Sequence, residues 1–144
     1  MYDLYIPKRT MFFMGPQRCG KTTMLQTAVK FSAEAGQKVL LVGLQIDIDL
    51  IMTEAELYGR NLHVDHLPLR TDEATAKYLK PGDYDVVAFV GNTVFMEPGH
   101  VRIYNEPSTE IRKFFWRLSE PTAHIPRLYF ETHYQGTERD VAFG

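Results

Sequence analysis

The stretch Gly15-Pro16-Gln17-Arg18-Cys19-Gly20-Lys21-Thr22 decides the reading of this chain. Both glycines, the lysine and the hydroxyl residue stand where the P-loop pattern requires them. Gly15 and Gly20 permit backbone angles closed to other residues and let amides approach an anion with no β-carbon in the way. Lys21 brings a charge that neutralises a terminal phosphate, and the Thr22 hydroxyl is of the kind that ligates a magnesium ion bridging phosphates. The expected nucleotide-binding set is Gly15, Pro16, Gln17, Arg18, Cys19, Gly20, Lys21, Thr22 and Thr23, with ATP and Mg2+ as ligands.

Working outward, the apolar run Met11-Phe12-Phe13-Met14 precedes the motif, and Thr22 to Phe31 follows without Gly or Pro. This is the strand, loop, helix order that a phosphate cradle needs. Lys38-Val39-Leu40-Leu41-Val42-Gly43-Leu44 reads as a second strand, apolar throughout because it is covered on both faces. Leu50 to Tyr58 reads as a helix ended by Gly59, Leu62 to Leu67 as a short strand, and Thr71-Asp72-Glu73-Ala74 as the capped start of another helix. Tyr84 to Val90 is a third buried strand after the turn Pro81-Gly82-Asp83. Gly91 to Pro107, rich in Gly, Pro and Asn, reads as a long loop, either one suited to a substrate or partner or a plainly disordered segment. Ser108 to Ser119 places Ile111, Phe114, Phe115 and Leu118 on one helical face, and Arg127 to Phe130 forms the last strand.

Strands alternating with helices predict an α/β fold, a parallel sheet of about five strands sandwiched by helices. The 144 residues suit one domain spanning 1–144, with no internal repeat. A composition of 44% hydrophobic and 24% charged residues places the chain among ordinary globular proteins, and no apolar stretch is long enough to span a bilayer. The N-terminus lacks the basic and apolar regions of a secretory signal, so a cytoplasmic protein is expected. Cys19 is the single cysteine, which excludes an internal disulfide and a multi-cysteine metal cluster. His63 and His66 are expected at an exposed loop or edge, not at a metal. A net charge of −2 argues against a broad nucleic-acid surface.

Two further landmarks are Gln45-Ile46-Asp47-Ile48-Asp49 after the second strand and Tyr84 to Phe95. With the P-loop and with Ile125 to Gly136, they resemble the type II thymidine kinases, and the chain is nearly as similar to a minimal RecA-like ATPase core. The resemblance covers most of residues 9 to 136 and implies a RecA-like P-loop NTPase core. It also exposes departures. Where the family carries a magnesium-orienting aspartate and a catalytic glutamate, this chain has Val90 and Gly91. Under the RecA-like alignment, the activating glutamate falls near Gln45. The family's zinc site and C-terminal lasso have no counterpart in a chain with one cysteine that stops at Gly144.

Replacement acids are therefore sought elsewhere. Glu131, at the end of the last strand, lies near the P-loop if that strand neighbours the first, and is the first candidate for a catalytic role beside Lys21. Asp47 is the candidate metal carboxylate beside Thr22, with Asp49 and Glu97 as others, His133 as a phosphate sensor and Arg18 as a further charge beside the phosphates. Three functions follow: an NTPase or nucleoside-kinase-like phosphotransferase with a displaced acid, a nucleotide-binding regulator that turns over little, and a nucleic-acid-dependent ATPase completed across a homo-oligomer interface.

Overall fold

The computed structural model describes residues 2–4, 10–14, 20–69, 80–97, 100–103, 109–119 and 126–134. Its elements run β1 (Tyr2–Leu4), β2 (Thr10–Met14), α1 (Lys21–Glu34), β3 (Val39–Gly43), α2 (Gln45–Glu54), β4 (Val64–Pro68), β5 (Val86–Glu97), β6 (His100–Ile103), α3 (Thr109–Ser119) and β7 (Arg127–Tyr134), with a single 3-10 turn at Pro81–Asp83 before β5. The helix expected from Thr71 and residues 15–19 of the expected phosphate-binding stretch lie outside the described residues.

Five strands pair in parallel in the order β4, β3, β5, β7, β2. The α/β architecture follows from alternation. Val39, Leu41, Val86, Ala88, Val90 and Tyr129 face one side with Leu25, Val29 and Ala33 of α1 and Ile48, Ile51 and Met52 of α2. Leu40, Val42, Val87, Phe89, Leu128 and Phe130 face the other side with Phe114, Phe115 and Leu118 of α3. Each strand is thus apolar on both faces because helices cover both. The α3 side is knitted by rings: Phe89 and Phe130 stack at 4.4 Å between centroids, Phe12 stacks on Phe130 at 5.4 Å, and Phe115 tilts against Phe89 at 5.4 Å.

Two expectations are corrected, and one strand was not expected. Among the described residues the five parallel strands are joined by two antiparallel ones, seven in all, because β5 does not stop at Val90. It continues to Glu97, and β6 and β1 add to it in antiparallel fashion, so residues 91–97 and 100–103 of the supposed loop are strand. Residues 98–99 and 104–108 of that segment lie outside the described residues. The physical reason is a break in the β5–β7 register between Phe89 and Val94, which absorbs the glycine and lets the strand resume. Next, the second helix begins at Gln45 and ends at Glu54, not over Leu50 to Tyr58. Leu44 takes the cap position in extended conformation without a side-chain bond, so the usual polar cap signal is absent. Glu56 at φ 55 turns the chain out of the helix. Last, Tyr2–Leu4 is a strand that has no sequence signature of its own.

Among the described residues no helix is long and apolar enough to cross a membrane. An open cavity lined by Lys38, His63, Asp65, Asp83 and Tyr84 lies at the amino ends of β3, β4 and β5. There the Tyr84 hydroxyl donates to Asp65 at 2.7 Å, and burial followed by that carboxylate raises the phenol's pKa.

Candidate functional site

The candidate site forms at the carboxyl ends of the parallel strands, where ligands of open α/β sheets bind. Gly20 holds φ 90, a left-handed conformation that a β-carbon opposes, and its carbonyl accepts the first turn's bond from Met24 N–H at 3.0 Å. Lys21 opens α1 and is buried at 4% exposure, whereas Thr22 is half-buried and Thr23 exposed. A lysine kept out of water at a helix start is costly unless anions share its surroundings.

Glu131 comes to α1 by register and alternation. β7 pairs with β2 so that Glu131 stands opposite Phe13, one residue before the strand's end. Tyr129 lies on the α1 face and Phe130 on the α3 face, so Glu131, next in the period of two, returns to the α1 side. Its carboxylate is 2% exposed and accepts bonds through both oxygens: Oε1 from the Thr22 hydroxyl, and Oε2 from Gly91 N–H at 3.0 Å.

Asp47 reaches the same place from α2. It sits in the first helical turn, where the helix dipole favours an anion. A β-carbon built on Gly91 would overlap its carboxylate, which places that carboxylate directly beside the Gly91 backbone. Burial, and then the charge of Glu131, raise the Asp47 pKa. The chain thus runs Thr22, Glu131, Gly91, Asp47, from the edge of β2 to the gap between β3 and β5. Gly43 ends β3 there, and a β-carbon on it would meet the Val90 carbonyl oxygen at 2.6 Å, so the two strands approach too closely for any side chain.

Other expected residues stay apart. Asp49 is exposed and accepts bonds from Gln45 Nε2 and the Tyr58 hydroxyl, both at 2.9 Å. Gln45 is exposed too and spends its amide on Asp49. His63 is exposed and His66 half-buried, with its pKa lowered chiefly by burial. Glu97 and His133 lie on β5 and β7, beyond the site along each strand. Gly15, Pro16, Gln17, Arg18 and Cys19 fall outside the described residues. Gly91 was legible only as a loss of a carboxylate; the signal available was a glycine directly after a fully apolar strand, which marks a bulge or a close approach.

Among the described residues no three His, Cys, Asp or Glu side chains converge to hold a metal by themselves. Magnesium does not ask for that: it keeps several waters and takes one or two carboxylates together with substrate phosphates. A hydroxyl, two neighbouring carboxylates and a glycine cradle between them fit such an ion. No family model, curated protein or solved structure matches the chain, and the assignment of this cluster rests on its own geometry.

Proposed function

We propose that the chain binds a nucleoside triphosphate with magnesium at Gly15 to Thr23 and acts on its terminal phosphate as an NTPase or phosphotransferase whose acid has moved to β7. The observation that carries this reading is the contact of the Thr22 hydroxyl with the buried Glu131 carboxylate. A carboxylate against the P-loop hydroxyl supplies the charge that Val90 and Gly91 lack, from the neighbouring strand. Bound magnesium would neutralise charge on the phosphates and polarise the bond to the leaving oxygen. Around it, Thr22 and Asp47 offer oxygen ligands, Glu131 holds the Thr22 hydroxyl in place, and Lys21 faces the phosphate charge at the start of α1. Support for the RecA-like form of this core is the adjacency of β7 to β2.

A second reading, a nucleotide-binding regulator with little turnover, is favoured by the absence of any side chain at Gly91, where the resembling kinases place their catalytic glutamate. Calorimetric titration with ATP, with and without magnesium, followed by ADP formation assays, separates the two. Magnesium-dependent binding with turnover supports the enzyme, and magnesium-dependent binding without turnover supports the regulator. No binding overturns both. Stimulation by deoxynucleosides would identify a nucleoside acceptor, and stimulation by single-stranded DNA would favour a nucleic-acid-dependent ATPase.

A further inference from the structure

We infer that Gly91 is a positioning residue that joins Asp47 and Glu131 into one cation-facing pair, through the amide it offers to one carboxylate and the side chain it withholds from the other. This rests on the magnesium–nucleotide reading and assigns the part of the site that makes its metal affinity.

Three observations converge on Gly91. Its N–H donates to Glu131 Oε2 at 3.0 Å. This happens where the β5–β7 ladder is interrupted, between Phe89 and Val94, so the amide serves a side chain instead of a strand. A β-carbon on it would stand 2.5 Å from Asp47 Cγ and 3.0 Å from Asp47 Cβ, so Asp47 occupies the volume that a side chain at 91 would fill. Its φ of 76 opposes any L side chain independently.

The neighbours leave β5 no room to yield. Gly43 already lets the Val90 carbonyl approach to within 2.6 Å of where its β-carbon would be. Val90 is fully buried. A side chain at 91 must therefore displace Asp47 outward, or turn the 91 amide away from Glu131. Either movement separates the two carboxylates, which like charge already drives apart. A cation held by Asp47 and Thr22 beside Glu131 offsets that repulsion, so the pair held together by Gly91 is the arrangement that binds one.

The test uses the full chain as wild type, Gly91→Ala, Asp47→Ala and the double variant. Mn2+ alone is titrated by electron paramagnetic resonance, then Mn2+ with ATP, and thermal melting of each protein is followed. Both single variants are expected to weaken Mn2+ binding at least about tenfold, in the range for lost supporting groups at a metal. The double variant is expected to bind no more weakly than Asp47→Ala and to melt above Gly91→Ala, because alanine at 47 vacates the contested space. A folded Gly91→Ala protein with wild-type Mn2+ affinity overturns the inference, as do strictly additive losses. If Gly91→Ala does not fold, folding of the double variant supports it and failure of both overturns it. Wild type that binds Mn2+ through Asp47 but no ATP defeats the proposed function and leaves this inference standing. ATP binding with Mn2+ affinity indifferent to residue 91 does the reverse.

Discussion

The Thr22 hydroxyl donates a hydrogen bond to Glu131 Oε1 across 109 positions of sequence, joining the first residues of α1 to the strand that closes the sheet. The Glu131 carboxylate is nearly out of contact with water, and its other oxygen is held by Gly91, so its placement is fixed before any ligand arrives. Such preorganisation is what electrostatic support of a phosphate site requires.

Glu131→Gln keeps the shape and removes the charge. Nucleotide binding should persist, whereas turnover and magnesium affinity should fall by about 10- to 100-fold, as for other groups that orient a metal's ligands. Steady-state ADP formation against magnesium concentration measures it; unchanged turnover would remove Glu131 from the site.

Lys21→Ala should weaken ATP binding by about 10- to 100-fold, the loss of one charge-assisted contact of roughly 1.5–3 kcal/mol. Titration calorimetry reads this directly. Equal affinities in the two proteins would sink the P-loop reading.

Asp47 predicts a pH dependence. Its folded pKa is raised above 3.8, first by burial and then by Glu131. The folded state therefore binds that proton more tightly than the unfolded chain does. The associated stability is fully present below the unfolded pKa and is lost as pH rises through the folded value. Asp47→Asn should accordingly melt higher than wild type at neutral pH, with the difference vanishing in acid. Magnesium with nucleotide should narrow the neutral-pH difference by stabilising wild type more. Melting curves across pH would test both, and parallel curves would show that Asp47 senses no such field.

Gly43→Ala places a β-carbon 2.6 Å from the Val90 carbonyl oxygen. Overpacking of this kind costs about 1–3 kcal/mol. Because the displaced carbonyl precedes Gly91, nucleotide affinity should fall along with the melting temperature. A variant that melts like wild type would show that β3 and β5 separate easily at this end.

Much of the parallel core was legible in sequence because each strand announces itself: Val39 to Gly43 and Val86 to Val90 are buried throughout, and that is how a strand covered on both faces reads. α1 was legible as a run free of Gly and Pro after the motif, and α3 by the spacing of Phe114, Phe115 and Leu118. The antiparallel part was hidden because its strands are defined by partners. Tyr2 pairs with Ile103, and nothing local to either residue encodes that. α2 was misplaced because Leu44 caps it without a polar side chain. Glu131 was accessible as a candidate through the resemblance to RecA-like cores, which implies that the last strand neighbours the first, and β7 does pair with β2. The meeting of Asp47 with Gly91 was not, since it depends on how a helix start, a strand break and a missing β-carbon fit in three dimensions.

β2, which ends just before the Gly15 to Thr22 stretch, pairs among the described residues with β7 alone. During synthesis the N-terminal segments emerge first, so Lys21 and Thr22 leave the ribosome long before their strand has a neighbour. The strand that β2 pairs with and the carboxylate that meets Thr22 arrive together, on the same late segment. A nascent chain that stops short of Arg127 carries Lys21 and Thr22 but neither a docked β2 nor the Glu131 carboxylate, so the Thr22–Glu131 contact is among the last the sheet can make.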